Sequence, residues 1–97
     1  MPGYIGLFKF TPQGIANVKS MPETIRQGKV LAERMGIRPV GVWVTLGEYD
    51  MVVVGDAPND QTVAAFALAL AGQGNVTTQT LRAFSEEEFA QIVGRLP

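Results

Sequence analysis

Two strand-type runs, Val40–Leu46 and Tyr49–Val54, are separated by only Gly47 and Glu48. So short a connection lets the two runs pair only as an antiparallel hairpin, and glycine first in a two-residue loop signals a type II′ turn. The turn sets a register: Leu46 opposite Tyr49, Thr45 opposite Asp50, Val44 opposite Met51 and Trp43 opposite Val52. Because side chains alternate across a sheet, one face is expected to carry Val40, Val42, Val44, Leu46, Tyr49, Met51 and Val53. The other carries Gly41, Trp43, Thr45, Asp50, Val52 and Val54. The first set is nearly all aliphatic and suits packing under helices. The second combines an aromatic wall, a hydroxyl and a carboxylate, a mixture that suits a cavity better than a dry core.

The rest of the chain frames this hairpin. Tyr4–Phe10 is apolar in both alternation sets and reads as a central strand. Thr11-Pro12-Gln13-Gly14 breaks it, a short turn follows over 13–20, and the main helix is expected over 21–36, with Gly36 as its cap. Ser20 and Glu23 have capping-box spacing. A second helix is predicted over 59–72; its Val-Ala-Ala-Phe-Ala-Leu-Ala-Leu run is apolar nearly all round and should be covered on more than one side. Val76–Phe84 is a fourth strand, and Ser85 to Glu88 opens a last helix with the stripe Phe89, Ile92, Val93 and Leu96.

The order is therefore β-α-β-β-α-β-α: an α+β, ferredoxin-like unit with an extra C-terminal helix and a four-stranded antiparallel sheet, as one domain over residues 1–97. Both main helices fall on one face. A chain of 97 residues has nothing left to cover the other face, and 46% hydrophobic with 18% charged residues leaves apolar surface over. A homo-oligomer, a dimer or higher, follows from this. Charge is divided, six basic and three acidic groups over residues 1–48 against two and six over residues 49–97, but the net charge of −1 excludes a typical nucleic-acid module. No run is long enough to span a membrane, and Met1-Pro2-Gly3-Tyr4 does not open a signal peptide, so a cytoplasmic location is expected.

The chain has no histidine and no cysteine, which removes imidazole bases, thiolate nucleophiles and sulfur-type zinc sites. No metal site and no cofactor motif is read. Any acid–base chemistry falls to Asp50, with Tyr49 or Arg82 as polar helper. Asp50 reads two ways: a half-buried carboxylate of raised pKa, or an acceptor for Thr45 or for turn amides. Trp43 is either packing or a ligand wall, and Arg82 either an anion site or an ion-pair partner. A ligand-binding set of Trp43, Thr45, Asp50 and Arg82 would hold a small apolar compound. If Asp50 only satisfies main-chain groups, a catalytic role loses its base.

The run Thr45 to Val54, with Gly47-Glu48-Tyr49-Asp50 at its centre, resembles the GYD domain family. So do Tyr4-Ile5, Phe10-Thr11-Pro12-Gln13-Gly14, Ala57-Pro58-Asn59-Asp60, Gly74-Asn75-Val76 and Thr80 to Phe84. The likeness runs in order along almost the whole chain. It implies a small bacterial or archaeal protein whose sheets pair into a dimeric α+β barrel. Barrels of that kind include cofactor-free monooxygenases, small isomerases and ligand-binding modules, so the resemblance implies fold more firmly than activity. An oligomeric small-ligand-binding or interaction module is the expected function, with a cofactor-free enzyme of a small apolar or aromatic compound as the alternative.

Overall fold

β1 (Gly3–Phe10) and β3 (Met51–Asp56) run antiparallel at the centre of the sheet, because each is apolar enough to be bounded on both edges. β2 (Arg38–Val44) and β4 (Val76–Ala83) take the edges, in the order β2-β3-β1-β4. The computed structural model describes residues Met1–Pro97. Helices α2 (Met21–Arg34) and α3 (Asp60–Gly72) join β1 to β2 and β3 to β4. Phe8, Met51 and Val76 form the buried centre, with Ile25 of α2 and Leu70 of α3 packed on it. The ferredoxin-like order is thus the observed one, and α4 (Glu86–Val93) follows it.

The breaks between elements have local causes. α1 (Pro12–Ala16) starts on Thr11, whose hydroxyl accepts the Gly14 amide at 3.0 Å. A 3₁₀ turn, Val18–Ser20, then runs straight into α2. Ser20 and Glu23 make no capping box; the Ser20 hydroxyl donates to Asn17 O, and Glu23 pairs with Arg26 instead. With no extended residue ahead of the helix, Ser20 lacks the backbone shape that points its side chain at the first turn. α2 ends at Arg34, and Gly36 turns the chain away at φ +82°, with the amides of Gly36 and Ile37 bonded back to Glu33 O and Ala32 O. At α4 the predicted capping box of Ser85 and Glu88 is present in both directions.

The hairpin departs from expectation. Val44–Met51 and Trp43–Val52 pair as predicted, but the ladder ends at Val44 and Met51. Residues 45–50 form an open loop in place of a two-residue turn, with Gly47 at φ +100°. One rung survives in it, Thr45 N donating to Asp50 O at 2.8 Å. A register shift between Pro39 and Gly41 also takes Val40 out of the helix-facing row, and it is exposed. Leu46, expected under the helices, is fully exposed at the loop tip.

Two apolar surfaces stay uncovered within the chain. Leu68 on the outer side of α3 is 74% exposed, so that helix is covered on one side only. The stripe of α4 faces outward too, with Phe89 61% and Val93 44% exposed, and Leu96 beyond its end is 68% exposed.

Candidate functional site

The β2–β3 loop is tied to β1 by the group that sequence reasoning marked as a base. Asp50 Oδ2 accepts the Phe10 amide at 2.8 Å, and the Asp50 amide donates to Phe8 O at 2.8 Å. A side-chain carboxylate thus receives a β1 amide beyond the last β1–β3 pair, Phe8 with Met51. The Thr45 hydroxyl donates to Tyr49 O at 2.6 Å and closes the loop on itself. Both polar groups of the expected cavity therefore hold main chain.

The face of the sheet away from the helices carries a continuous apolar strip. One row runs Trp43, Val52, Leu7 and Gln79 across all four strands; the next runs Gly41, Val54, Ile5 and Leu81. Trp43 sits at the edge of this strip, 55% exposed. Tyr49 lies on this face as well, since its hydroxyl donates to Gln79 Oε1 at 2.6 Å and the Lys9 ammonium stands 5.3 Å from its ring centre. The hairpin reading had placed Tyr49 on the helix side. Because the open loop interrupts the strict alternation of a hairpin, the prediction fails at that residue.

On the helix side a cavity of about 120 Å³ lies between sheet and helices, among Phe8, Ile25, Met51, Val53, Phe66 and Leu70. Gly6 and Gly55 leave its floor without side chains, and Gly28 does the same for its α2 roof. Trp43, Thr45, Asp50 and Arg82 do not line it. It adjoins an open hollow of about 280 Å³ formed by Tyr4, Asp60, Val63, Ala64, Thr80 and Arg82. Here the Tyr4 hydroxyl donates to Asp60 Oδ1 at 2.5 Å. The Arg82 guanidinium lies over the rings of Tyr4 and Phe84, at 5.6 and 4.5 Å from their centres.

The hydrogen bond to Asp60 raises the Tyr4 phenol above 10.0, helped by burial and by the Asp60 charge, with Arg82 pulling weakly the other way. A raised pKa adds stability that is full below 10.0 and is lost as pH climbs through the folded value. Asp60→Asn is expected to move the Tyr4 step, identified by its loss in Tyr4→Phe, down toward 10.0 in a phenolate absorbance titration. An unmoved step would refute this account of Tyr4.

The structure separates the residues that sequence reasoning grouped. Trp43 is on one edge strand facing away from the helices; Arg82 is on the other edge strand, over Tyr4 on the helix side. Thr45 and Asp50 lie in the loop.

Residues 4–93 match the family described as the GYD domain. The chain belongs to this family. A protein of Thermus thermophilus, called a glutamine synthetase and cystathionine beta-lyase binding protein, is 37% identical to the GYD chain over 97 residues, 99% of each sequence. No solved structure matches this chain.

In this GYD domain the signature Gly47-Glu48-Tyr49-Asp50 is the loop itself. Glycine supplies the positive φ, tyrosine crosses to β4, and aspartate holds β1. Glu48 adds an exposed ion pair with Lys9 at 3.6 Å. Sequence reasoning gave no site role to Tyr4 or Asp60. The one signal for them was a phenol in a largely apolar strand, and its partner stands 56 residues away.

Proposed function

We propose that this GYD protein is an interaction module that pairs with copies of itself and, so assembled, binds a partner enzyme. The observation that carries the reading is the apolar strip of Trp43, Val52, Leu7, Val54, Ile5 and Leu81 on the helix-free face. A second copy of the sheet, packed face to face, would bury it in the dimeric α+β barrel expected for the family. Trp43 then serves as an interface anchor, the kind of aromatic residue that dominates such contacts. The uncovered stripe of α4 adds apolar surface for larger assemblies or for the partner.

For the partner, the Thermus relative supplies the lead: glutamine synthetase, or cystathionine beta-lyase. No helix is long and apolar enough to cross a membrane, and a cytoplasmic location beside such enzymes accords with this. A catalytic reading of Asp50 and Tyr49 gains no support from the contacts, because Asp50 holds the Phe10 amide and Tyr49 bonds to Gln79.

Mass measurement by light scattering tests the first half. At micromolar concentration the protein is expected at a multiple of 10.4 kDa, and Leu7→Lys or Trp43→Lys is expected to shift it to monomer. A monomeric unmodified protein overturns the assembly. Titration of the protein into purified glutamine synthetase and cystathionine beta-lyase from the same source, followed by sedimentation, tests the second half. A co-sedimenting complex with either supports it; no complex with either at ~10 μM overturns it.

A further inference from the structure

The hollow on the helix side places two opposite charges next to an apolar slot. Tyr4, Val63 and Thr80 line both the 120 Å³ cavity and the hollow beside it, so the two are adjacent and share a wall. Asp60 and Arg82 stand together at the outer end. Asp60 spends one oxygen on the Tyr4 hydroxyl, and no hydrogen bond within the chain engages Oδ2. Arg82 Nη1 donates to the carbonyls of Gly3 and Ala83, which fixes the guanidinium over the two rings. Its Nε makes no hydrogen bond within the chain, and Nη2 has only Glu88 Oε2 at 4.0 Å. Glu88 spends its other oxygen on the Ser85 amide at 3.0 Å. A fixed cation and a fixed anion, both with unused capacity, thus stand beside an apolar space, with Tyr4, Val63 and Thr80 between.

We propose that this is a binding site for a small apolar α-amino acid of the size of leucine. Asp60 receives the ammonium, Arg82 receives the carboxylate, and the side chain enters the cavity between Phe66, Leu70 and Phe8. The charges of the ligand match the pair at the mouth, whereas a simple carboxylic acid would leave Asp60 facing it. The size also agrees. Apolar cavities of roughly 150 Å³ admit a six-carbon ring, so the volume here accepts a branched side chain of four carbons. Polar lining sits at the mouth and apolar lining inside, the usual division in a small-molecule site. This site lies on the helix side of the sheet, so it stands or falls independently of the assembly face.

Calorimetric titration of the unmodified protein with L-leucine, 4-methylpentanoate and 3-methylbutylamine is the test. The two analogues keep the apolar body and lose one charge each. L-leucine is expected to bind at least about tenfold tighter than either analogue, since one charged hydrogen-bonding contact is worth that much. Arg82→Gln and Asp60→Asn are each expected to weaken L-leucine by a similar factor; the asparagine still accepts from Tyr4, so that variant keeps its fold. Ala67→Phe fills the cavity and leaves both charges, and should abolish binding. No saturable binding of L-leucine up to ~10 mM overturns the proposal. So does equal affinity for the analogues, or full affinity in Ala67→Phe.

Discussion

Replacing Asp50 by alanine is expected to lower the unfolding free energy by about 2–3 kcal/mol, the range for a hydrogen bond to a charged group whose partner is left unsatisfied. For a domain of this size that is a fall in melting temperature of roughly 10–20 °C. The mechanism is specific. Asp50 Oδ2 is the acceptor for the Phe10 amide, beyond the last paired rung of β1 and β3. Without it the amide has no partner and the loop over residues 45–50 is released from β1. Asp50→Asn keeps an acceptor oxygen and should lose less than half as much. Thermal unfolding followed by circular dichroism checks both. An alanine variant within ~0.5 kcal/mol of the unmodified protein would show that the carboxylate does not hold the loop.

A larger loss, about 3 kcal/mol or more, is expected from Gly14→Ala. Gly14 is buried in α1, and a Cβ built there would lie 2.1 Å from the Asn75 carbonyl oxygen and 3.0 Å from its carbon. The contact cannot relax cheaply, because several hydrogen bonds draw the two segments together. Thr11 N donates to Asn75 O at 3.0 Å, the Thr11 hydroxyl to Gly74 O at 2.5 Å, and the Gln13 amide to Gln73 O at 3.0 Å. A methyl group would have to break some of these or move the start of β4. Gly72→Ala is the control, since nothing lies within 4 Å of its Cβ and it closes a helix. It should be neutral or gain up to about 1 kcal/mol. Chemical denaturation of the two variants side by side measures the difference, and equal stabilities would refute the close-approach argument.

The fold was legible because its signals are local. The period-two runs, the Ser85–Glu88 capping box and the stop at Gly36 each depend on residues within a few positions, and the structure has them where the sequence places them. The hairpin shows where local reading ends. Val44 with Met51 followed from alternation, but the position of Tyr49 did not, because Gln79 on β4 and Lys9 on β1 draw it to the helix-free face. The same holds for the expected ligand set. Alternation put Trp43 and Asp50 on one face, yet Asp50 turns to an amide on β1, and Arg82 lies on the opposite edge strand from Trp43 and on the other face. The exposed stripes of α3 and α4 were legible as apolar; that the chain leaves them bare was not.

By itself, then, the sequence determined the order of elements, the antiparallel sheet with β1 central, the family, and an excess of apolar surface over what one small chain can bury. Tertiary structure alone decided that Asp50 is a clip, that Gly14 is a contact point, and that Tyr4, Asp60 and Arg82 meet at the mouth of a cavity. The physical reason is separation along the chain. Backbone periodicity and capping act over a few residues, whereas Phe10 meets Asp50 across 40 positions and Tyr4 meets Asp60 across 56, contacts that exist only once the sheet has assembled and the helices have closed over it.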